Sequence, residues 1–337
     1  MSKPLAWGIM GTGNIAGQFA QGVAASKRGR IVAVGSRSEQ SVNAFAQKHQ
    51  IPAAHGSYEA LLADPAVEAV YISLPNSLHK RWTIAAVEAG KHVLCEKPMA
   101  ATRDEAQAMF DAAERAGRVL VEAFMYKSHP MMQRVVEHVH AGDIGQLKLI
   151  RASFCFNMTA WQGNVRFDPS LAGGGLMDVG CYCVSLSRWL AQAEPTAVHC
   201  SAHLHESGVD DYAAGTLTFP GGVVSSFACG MTLHLDNTLL ISGSEGYISV
   251  PIPWKPPLAK ATYTLQGMPA AKSDTSGKRP MGREVFEIDS DVPLFGLEAD
   301  DFAATVAGER SPVITKADTL GNMAVLDELR KQAGLRY

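Results

Sequence analysis

The chain has 337 residues, a net charge of −3 and 47% hydrophobic residues, which predicts a globular protein of two domains. The near-balanced charge, with no basic tract, excludes a nucleic-acid arm. No run reaches the roughly 20 apolar residues of a membrane span, so no membrane partner is expected.

The run from Leu5 to Met10 reads as a first strand rather than a signal peptide, because a Gly-rich turn follows it at once. A helix is predicted over 14–26, a strand over 31–35, and helices over 41–49 and 58–62. A strand over 69–73 ends at Pro75, and a helix over 78–89 stops at Gly90. A strand over 92–95, a helix over 103–116 and a strand over 119–121 complete this part. The alternation predicts a parallel sheet covered on both faces, an α/β Rossmann domain over 1–124.

The texture then changes. A helix is expected over 130–141 and an antiparallel strand over 148–157. Gly173-Gly174-Gly175 opens a helix running to about Ala191. Several β segments follow between 196 and 252, among them 215–219, 223–229 and 238–242. The stretch 251–283, rich in Pro, Gly, Lys and Ser, reads as loop with one weak strand. Helices over 297–307 and 317–333 close the chain and are candidates to pack back on the first domain. The second domain, 125–337, is therefore α+β with a large open, mostly antiparallel sheet, expected to bind substrate and to oligomerise. The six cysteines form no Cys-x-x-Cys pair and read as reduced thiols of a cytoplasmic protein.

Gly11-Thr12-Gly13-Asn14-Ile15-Ala16 matches G-x-G-x-x-A between a strand and a helix. Gly11 permits the tight turn, Gly13 lets backbone approach a pyrophosphate, and Ala16 allows close helix–strand packing. The helix N-terminus supplies N–H groups to the phosphates. A tight turn without a ligand is the plainer reading. At the end of the second strand, Val34-Gly35-Ser36-Arg37-Ser38 has no carboxylate for a ribose 2′-hydroxyl. Arg37 suits a 2′-phosphate instead, with the hydroxyls of Ser36 and Ser38 as donors, and the cofactor expected is NADP(H). The competing reading makes Arg37 a solvated loop residue and the cofactor NAD.

Glu96-Lys97-Pro98 ends the strand that starts at His92, so Lys97 is expected in the cofactor cleft, with Glu96 orienting it or touching cofactor. A cis bond before Pro98 is one possibility at such a turn. Asp178, Tyr182 and Ser185 share a helical face by their i, i+4, i+7 spacing, opposite Cys181, Val184 and Leu190. Read alone, Asp178 fits a first-turn carboxylate and Tyr182 a half-buried core aromatic. His203 and His205 alternate on a strand but have no third ligand, so no metal is expected.

Gly11–Ala16, Pro75-Asn76-Ser77-Leu78-His79, Glu96-Lys97-Pro98 and Gly173-Gly174-Gly175-Leu176-Met177-Asp178 together resemble the Gfo/Idh/MocA oxidoreductase family over nearly the whole chain. Glu122-Ala123-Phe124-Met125-Tyr126, His129-Pro130 and the Asp178/Tyr182 pair are similar to its dihydrodiol and NADP-dependent D-xylose dehydrogenase branch. The resemblance implies Lys97, Tyr182 and Asp178 as catalytic residues. Tyr182 moves the alcohol proton, Lys97 lowers its pKa and polarises the oxygen, and Asp178 orients Lys97 or binds a substrate hydroxyl. The cofactor candidates are Gly11, Gly13, Asn14, Ile15, Ser36, Arg37, Leu74, Asn76, His79, Glu96 and Lys97. The substrate candidates are Met125, His129, Trp161, Arg166, Asp178 and Tyr182, with Asn164 and Phe167 on the same loop as Trp161 and Arg166. The activity implied is oxidation of a cyclic sugar or trans-dihydrodiol at a CH–OH carbon by a homodimer or higher homo-oligomer. Alternatives are reduction of a sugar ketone or aldehyde, lyase or hydrolase chemistry with a recycled cofactor, and a nucleotide-binding sensor without turnover.

Overall fold

The computed structural model describes residues 3–267 and 282–335. They form two compact units, one of Met1–Ser128, Ser170–Ala172 and Asp291–Ala324, the other of His129–Pro169, Gly173–Ser290 and Val325–Tyr337.

The first unit is built on six strands: β1 (Leu5–Met10), β2 (Gly29–Gly35), β3 (Ala53–His55), β4 (Ala69–Ile72), β5 (His92–Glu96) and β6 (Leu120–Ala123). All are parallel, in the order β3-β2-β1-β4-β5-β6. β1 and β4 are buried along their whole length, as a sheet covered on both faces requires. The crossovers carry α1 (Asn14–Ala24), α2 (Glu39–His49), α3 (Tyr58–Ala63), α4 (Asn76–Glu88) and α5 (Arg103–Ala116). β3 is not foreseen by the sequence, because a three-residue edge strand is too short to show alternation.

Late in the chain, α8 (Leu294–Val306) packs on α1 within this unit. The two helices cross backbone to backbone. A Cβ on Gly22 would lie 2.6 Å from Phe295 Cβ and 2.7 Å from Gly296 N, and one on Gly296 would lie 2.5 Å from Gly22 O. Beside the crossing, Trp7 meets Phe19 edge-on and Phe302 at a tilt, while Phe19 stacks on Tyr71 at 3.8 Å. Gly22→Ala must therefore move main chain rather than a side-chain tip. It is expected to cost about 2–4 kcal/mol, read as a lowered denaturation midpoint at unchanged m-value. A midpoint equal to wild type would mean that α8 shifts freely.

The second unit holds α6 (Pro130–Ala141), α7 (Cys181–Ala191) and an eight-stranded sheet. Its strands are β7 (Leu147–Cys155), β8 (Ala197–Leu204), β9 (Asp210–Thr218), β10 (Val224–Gly230), β11 (Leu239–Gly243), β12 (Gly246–Val250), β13 (Ala261–Gly267) and β14 (Gly282–Ile288), in the order β14-β13-β12-β11-β7-β10-β9-β8. Every pairing is antiparallel except β7 with β10. β7, expected to be antiparallel, is so only toward β11. The chain leaves β7 through α7 and returns as β10 through the β8–β9 hairpin, so it arrives running the same way.

The loop expected over 251–283 contains β13 and the start of β14. The Pro and Gly residues of 251–260 hide the alternation that begins at Ala261, and 268–281 lie outside the described residues. One register row of the sheet stays exposed or half-exposed across the strands: His199, Thr216, Ser226, Arg151, Leu240, Ser249, Thr264 and Val285. The last helix, α9 (Lys316–Gln332), contributes residues to both units. No described helix is long and apolar enough to cross a membrane.

Candidate functional site

In the first unit the strand order turns back between β1 and β4, and sheets of this kind bind ligands beyond the strand carboxyl ends at such a point. Gly11 stands there with φ +108, and its N–H donates to Gly35 O at 3.0 Å. A Cβ on Gly11 would meet Ser73 Oγ at 2.9 Å and Ser73 O at 3.1 Å. Only glycine accommodates both the angle and the approach. Gly13 differs: a Cβ there would have no atom within 4 Å, so its place is open space at the head of α1. That helix has no side-chain cap and no acidic residue in its first turn. The amides of Asn14 and Ile15 thus head a positive helix end whose first turn carries no carboxylate of its own. Ala16 is fully buried. The arrangement fits a pyrophosphate.

Beyond β2, Ser36 is buried and its Oγ accepts from Ser38 N at 3.4 Å. Ser38 caps α2 through Ser41 N, so its oxygen is already engaged. Arg37 is exposed. Burial raises the Tyr58 phenol pKa, and Arg37, hydrogen-bonded to it, opposes the rise.

Asn76 opens α4, and its Nδ2 donates to Ala172 O at 2.8 Å. His79 is expected beside the cofactor ribose but is wholly buried. Its Nε2 lies 2.8 Å from Leu74 O and its Nδ1 3.0 Å from Pro98 O. Both nitrogens face main-chain carbonyls, so the ring ties the loop after β4 to the loop after β5 rather than presenting a nitrogen to a ligand. Burial lowers its pKa. The Lys97–Pro98 bond is cis, and Lys97 is half-buried. Glu96 is held on both oxygens, by the Tyr71 hydroxyl and by Lys97 N–H, so its carboxylate anchors the strand end. Met125, expected against substrate, is buried in the short turn Met125–Ser128.

The sequence reading misses Glu298 of α8. It is buried, neither carboxylate oxygen has a hydrogen-bond partner, and burial, then Glu96 and Asp301, drive its pKa well above the usual range. Its signal is visible: Phe295, Glu298, Ala299 and Phe302 put it on an apolar helical stripe.

In the second unit, the helix expected from Gly175 begins as a π turn, Leu176–Gly180, and becomes α7 at Cys181. Asp178 sits in the wide turn and Tyr182 in the regular helix. Cys181 to Arg188 and Leu190 are all buried, so the polar and apolar faces predicted from spacing are not seen. Asp178 Oδ2 accepts from Arg166 Nε at 2.7 Å. The structure thus pairs two substrate candidates that the sequence reading left separate. Tyr182 is 4% exposed, with its ring edge-on to Phe154 and Trp254 at 5.0 and 5.8 Å.

Trp161 packs on the cluster of Phe167, Val209 and Met231 and lies edge-on to His205. Asn164 caps the turn Val165–Phe167 through Arg166 N. His129, expected in the substrate pocket, is instead the buried cap of α6: its Nδ1 accepts from Met131 N at 3.1 Å, and burial lowers its pKa. His203 pairs with Asp211 at 2.7 Å and stacks on Tyr212, while His205 lies beyond the end of β8. No group of three His, Cys, Asp or Glu among the described residues is placed to hold a metal. Asp210, which the sequence reading also misses and which has no local sequence signal, is wholly buried and accepts from Leu176 N at 2.6 Å.

Residues 5–124 match the model of an oxidoreductase family with an NAD-binding Rossmann fold, and 132–249 match the GFO/IDH/MocA C-terminal domain. The chain is 32% identical to a D-xylose 1-dehydrogenase (NADP(+)) of Haloferax volcanii over 97% of each chain. It is also 32% identical to a trans-1,2-dihydrobenzene-1,2-diol dehydrogenase of Mus musculus, over 99% of this chain and 98% of the other. Among solved structures, a 3-ketoreductase from Actinomadura kijaniata, in complex with NADP and TDP-benzene, superposes with a TM-score of 0.85 at 26% identity over 98% of each chain. An aldose-aldose oxidoreductase from Caulobacter crescentus, complexed with glycerol, shares the fold at a TM-score of 0.85 and 24% identity over 98% of each chain.

Proposed function

The chain belongs to the GFO/IDH/MocA oxidoreductase family, and from that premise we propose that it moves a hydride between NADP(H) and a CH–OH carbon of a cyclic sugar or diol. The observation that carries the cofactor choice is the end of β2, where Ser36, Arg37 and Ser38 stand with no carboxylate among them. The full-length relatives named for D-xylose and for dihydrodiols support the substrate class.

The first unit binds the cofactor: the amides at Gly13, Asn14 and Ile15 hold the pyrophosphate, Arg37 the 2′-phosphate, and Leu74 and Asn76 the remaining edge, while Glu96 anchors the strand end before Lys97. When bound, the nicotinamide supplies the hydride acceptor or donor. Tyr182 Oη takes the alcohol proton in oxidation and returns it in reduction. The Lys97 ammonium stabilises the developing oxyanion. Asp178, fixed by Arg166, binds a substrate hydroxyl. The similarity to a 3-ketoreductase gives reduction of a sugar ketone a footing as the second reading. The half-exposed row across the second sheet supports a homodimer through that face, checked by light scattering. Six free cysteines, five of them buried, support a reducing, cytoplasmic setting.

Pentoses, hexoses, anhydrosugars and dihydrodiols with NADP⁺ and NAD⁺, followed at the reduced-nicotinamide band, test the proposal. Net reduction with NADP⁺ is expected. Product without net absorbance change would instead indicate a recycled cofactor. Arg37→Ala is expected to weaken NADP⁺ by about 10- to 100-fold while leaving NAD⁺ within about threefold. An equal effect on both would remove Arg37 from the 2′-phosphate.

A further inference from the structure

We propose that Asp210 is a positioning residue for this reaction: from β9 it holds the first amide of the turn that carries Asp178 and leads into Tyr182. The role rests on the function proposed above. The π turn Leu176–Gly180 has a glycine, Gly175, at its cap position and no capping side chain of its own. The cap comes from another element, since Leu176 N donates to Asp210 Oδ2 at 2.6 Å. Gly175 makes room for it: a Cβ there would lie 3.3 Å from that oxygen and from Asp211 O. Asp178 follows two residues later and Tyr182 four after that. The other oxygen, Oδ1, is buried and has no hydrogen-bond partner. A carboxyl so placed is costly, and its bond to Leu176 N fixes the segment on which two site residues ride.

The surroundings set when that bond is strongest. Burial raises the Asp210 pKa from 3.8 to about 7, Asp211 on the same strand adds to the rise, and the Leu176 amide and Arg330 of α9 oppose it. From β8 and β10 the facing groups are Cys200 and Cys229, whose thiols are pushed up by burial and stay neutral. Ionised Asp210 is the stronger acceptor for Leu176 N–H. Between its unfolded value of 3.8 and about 7 the folded chain keeps a proton that the unfolded chain has released, so this group's contribution to stability falls as pH rises through that window.

A positioning group and a proton-transfer group differ in sign. Tyr182 acts as a base in one direction and an acid in the other, so its limb reverses with direction. Ionised Asp210 favours both directions. The kcat of the wild type is expected to rise through about pH 7 in oxidation and in reduction alike. Asp210→Asn keeps an acceptor for Leu176 and should lose this shared limb with its KM for NADP⁺ unchanged. Asp210→Ala, lacking the acceptor, should lose about tenfold in kcat.

Hydrogen exchange at the Leu176 amide gives a readout without substrate. Relative to the intrinsic exchange rate, protection should fall as pH rises toward about 7 in the wild type, because opening the turn lets Asp210 ionise, and should stay flat in Asp210→Asn. A shared limb that survives in Asp210→Asn, or wild-type protection that ignores pH, overturns the positioning role. Lack of turnover with every sugar and diol, while exchange behaves as expected, overturns the function and leaves the hold on the turn standing.

Discussion

Lys97→Met is expected to lower kcat by about a thousandfold while NADP⁺ affinity stays within about threefold. The side chain leaves the end of β5 half-buried, in a segment fixed on both sides. Before it, Glu96 is clamped by Tyr71 and by the Lys97 amide. After it, the carbonyl of Pro98 lies against the ring of His79. These contacts run through the Glu96 carboxylate and main-chain atoms, which methionine at 97 retains. What is lost is the positive charge that the proposed reaction assigns to the developing oxyanion. Single-turnover absorbance should show the fall, and cofactor fluorescence should show binding preserved. A variant turning over at the wild-type rate would remove Lys97 from the chemistry, and one that loses cofactor binding would make it a binding residue.

Where residues act locally, the sequence announces them. The turn at Gly11 needs a positive φ, and the strand before it and the helix after it carry their own periodicities, so motif and context read together. The crossover helix α4 likewise shows its stop, with Gly90 at positive φ just past its end. What was not legible depends on partners distant in the chain. The parallel pairing of β7 with β10 is decided by the path through α7, not by either strand's composition. The first amide of the π turn is held by Asp210, 34 residues on in β9. His79 and His129 are site candidates through the family resemblance of the motifs that hold them. The structure spends the first on two carbonyls and the second on a helix cap, roles set by neighbours that no spacing displays. Glu298 could have been found, since a carboxylate on an apolar stripe is a visible contradiction.

Tyr182→Phe is expected to lower kcat by about 100- to 1,000-fold with stability within about 1 kcal/mol of wild type. The substitution removes only Oη. The ring keeps its edge-on contacts with Phe154 and Trp254, and Phe154 keeps its stack on Trp254 at 5.5 Å. Thermal unfolding should therefore scarcely move, which separates loss of the hydroxyl from loss of packing. The pH profile carries the sharper test. In oxidation the phenolate is the active form, so the rate contributed by Tyr182 rises with pH; in reduction the phenol is active, and the same contribution falls. Both limbs should vanish in the variant.

If Lys97 serves the same proton transfer, the two substitutions are not additive. Lys97→Met in the Tyr182→Phe background should cost no more than about tenfold beyond the worse single variant. Full additivity would mean that the lysine and the tyrosine act on separate steps. A Tyr182→Phe enzyme that kept both limbs would move the proton to another group, and Asp178, with Arg166 on one oxygen, would be the first to examine.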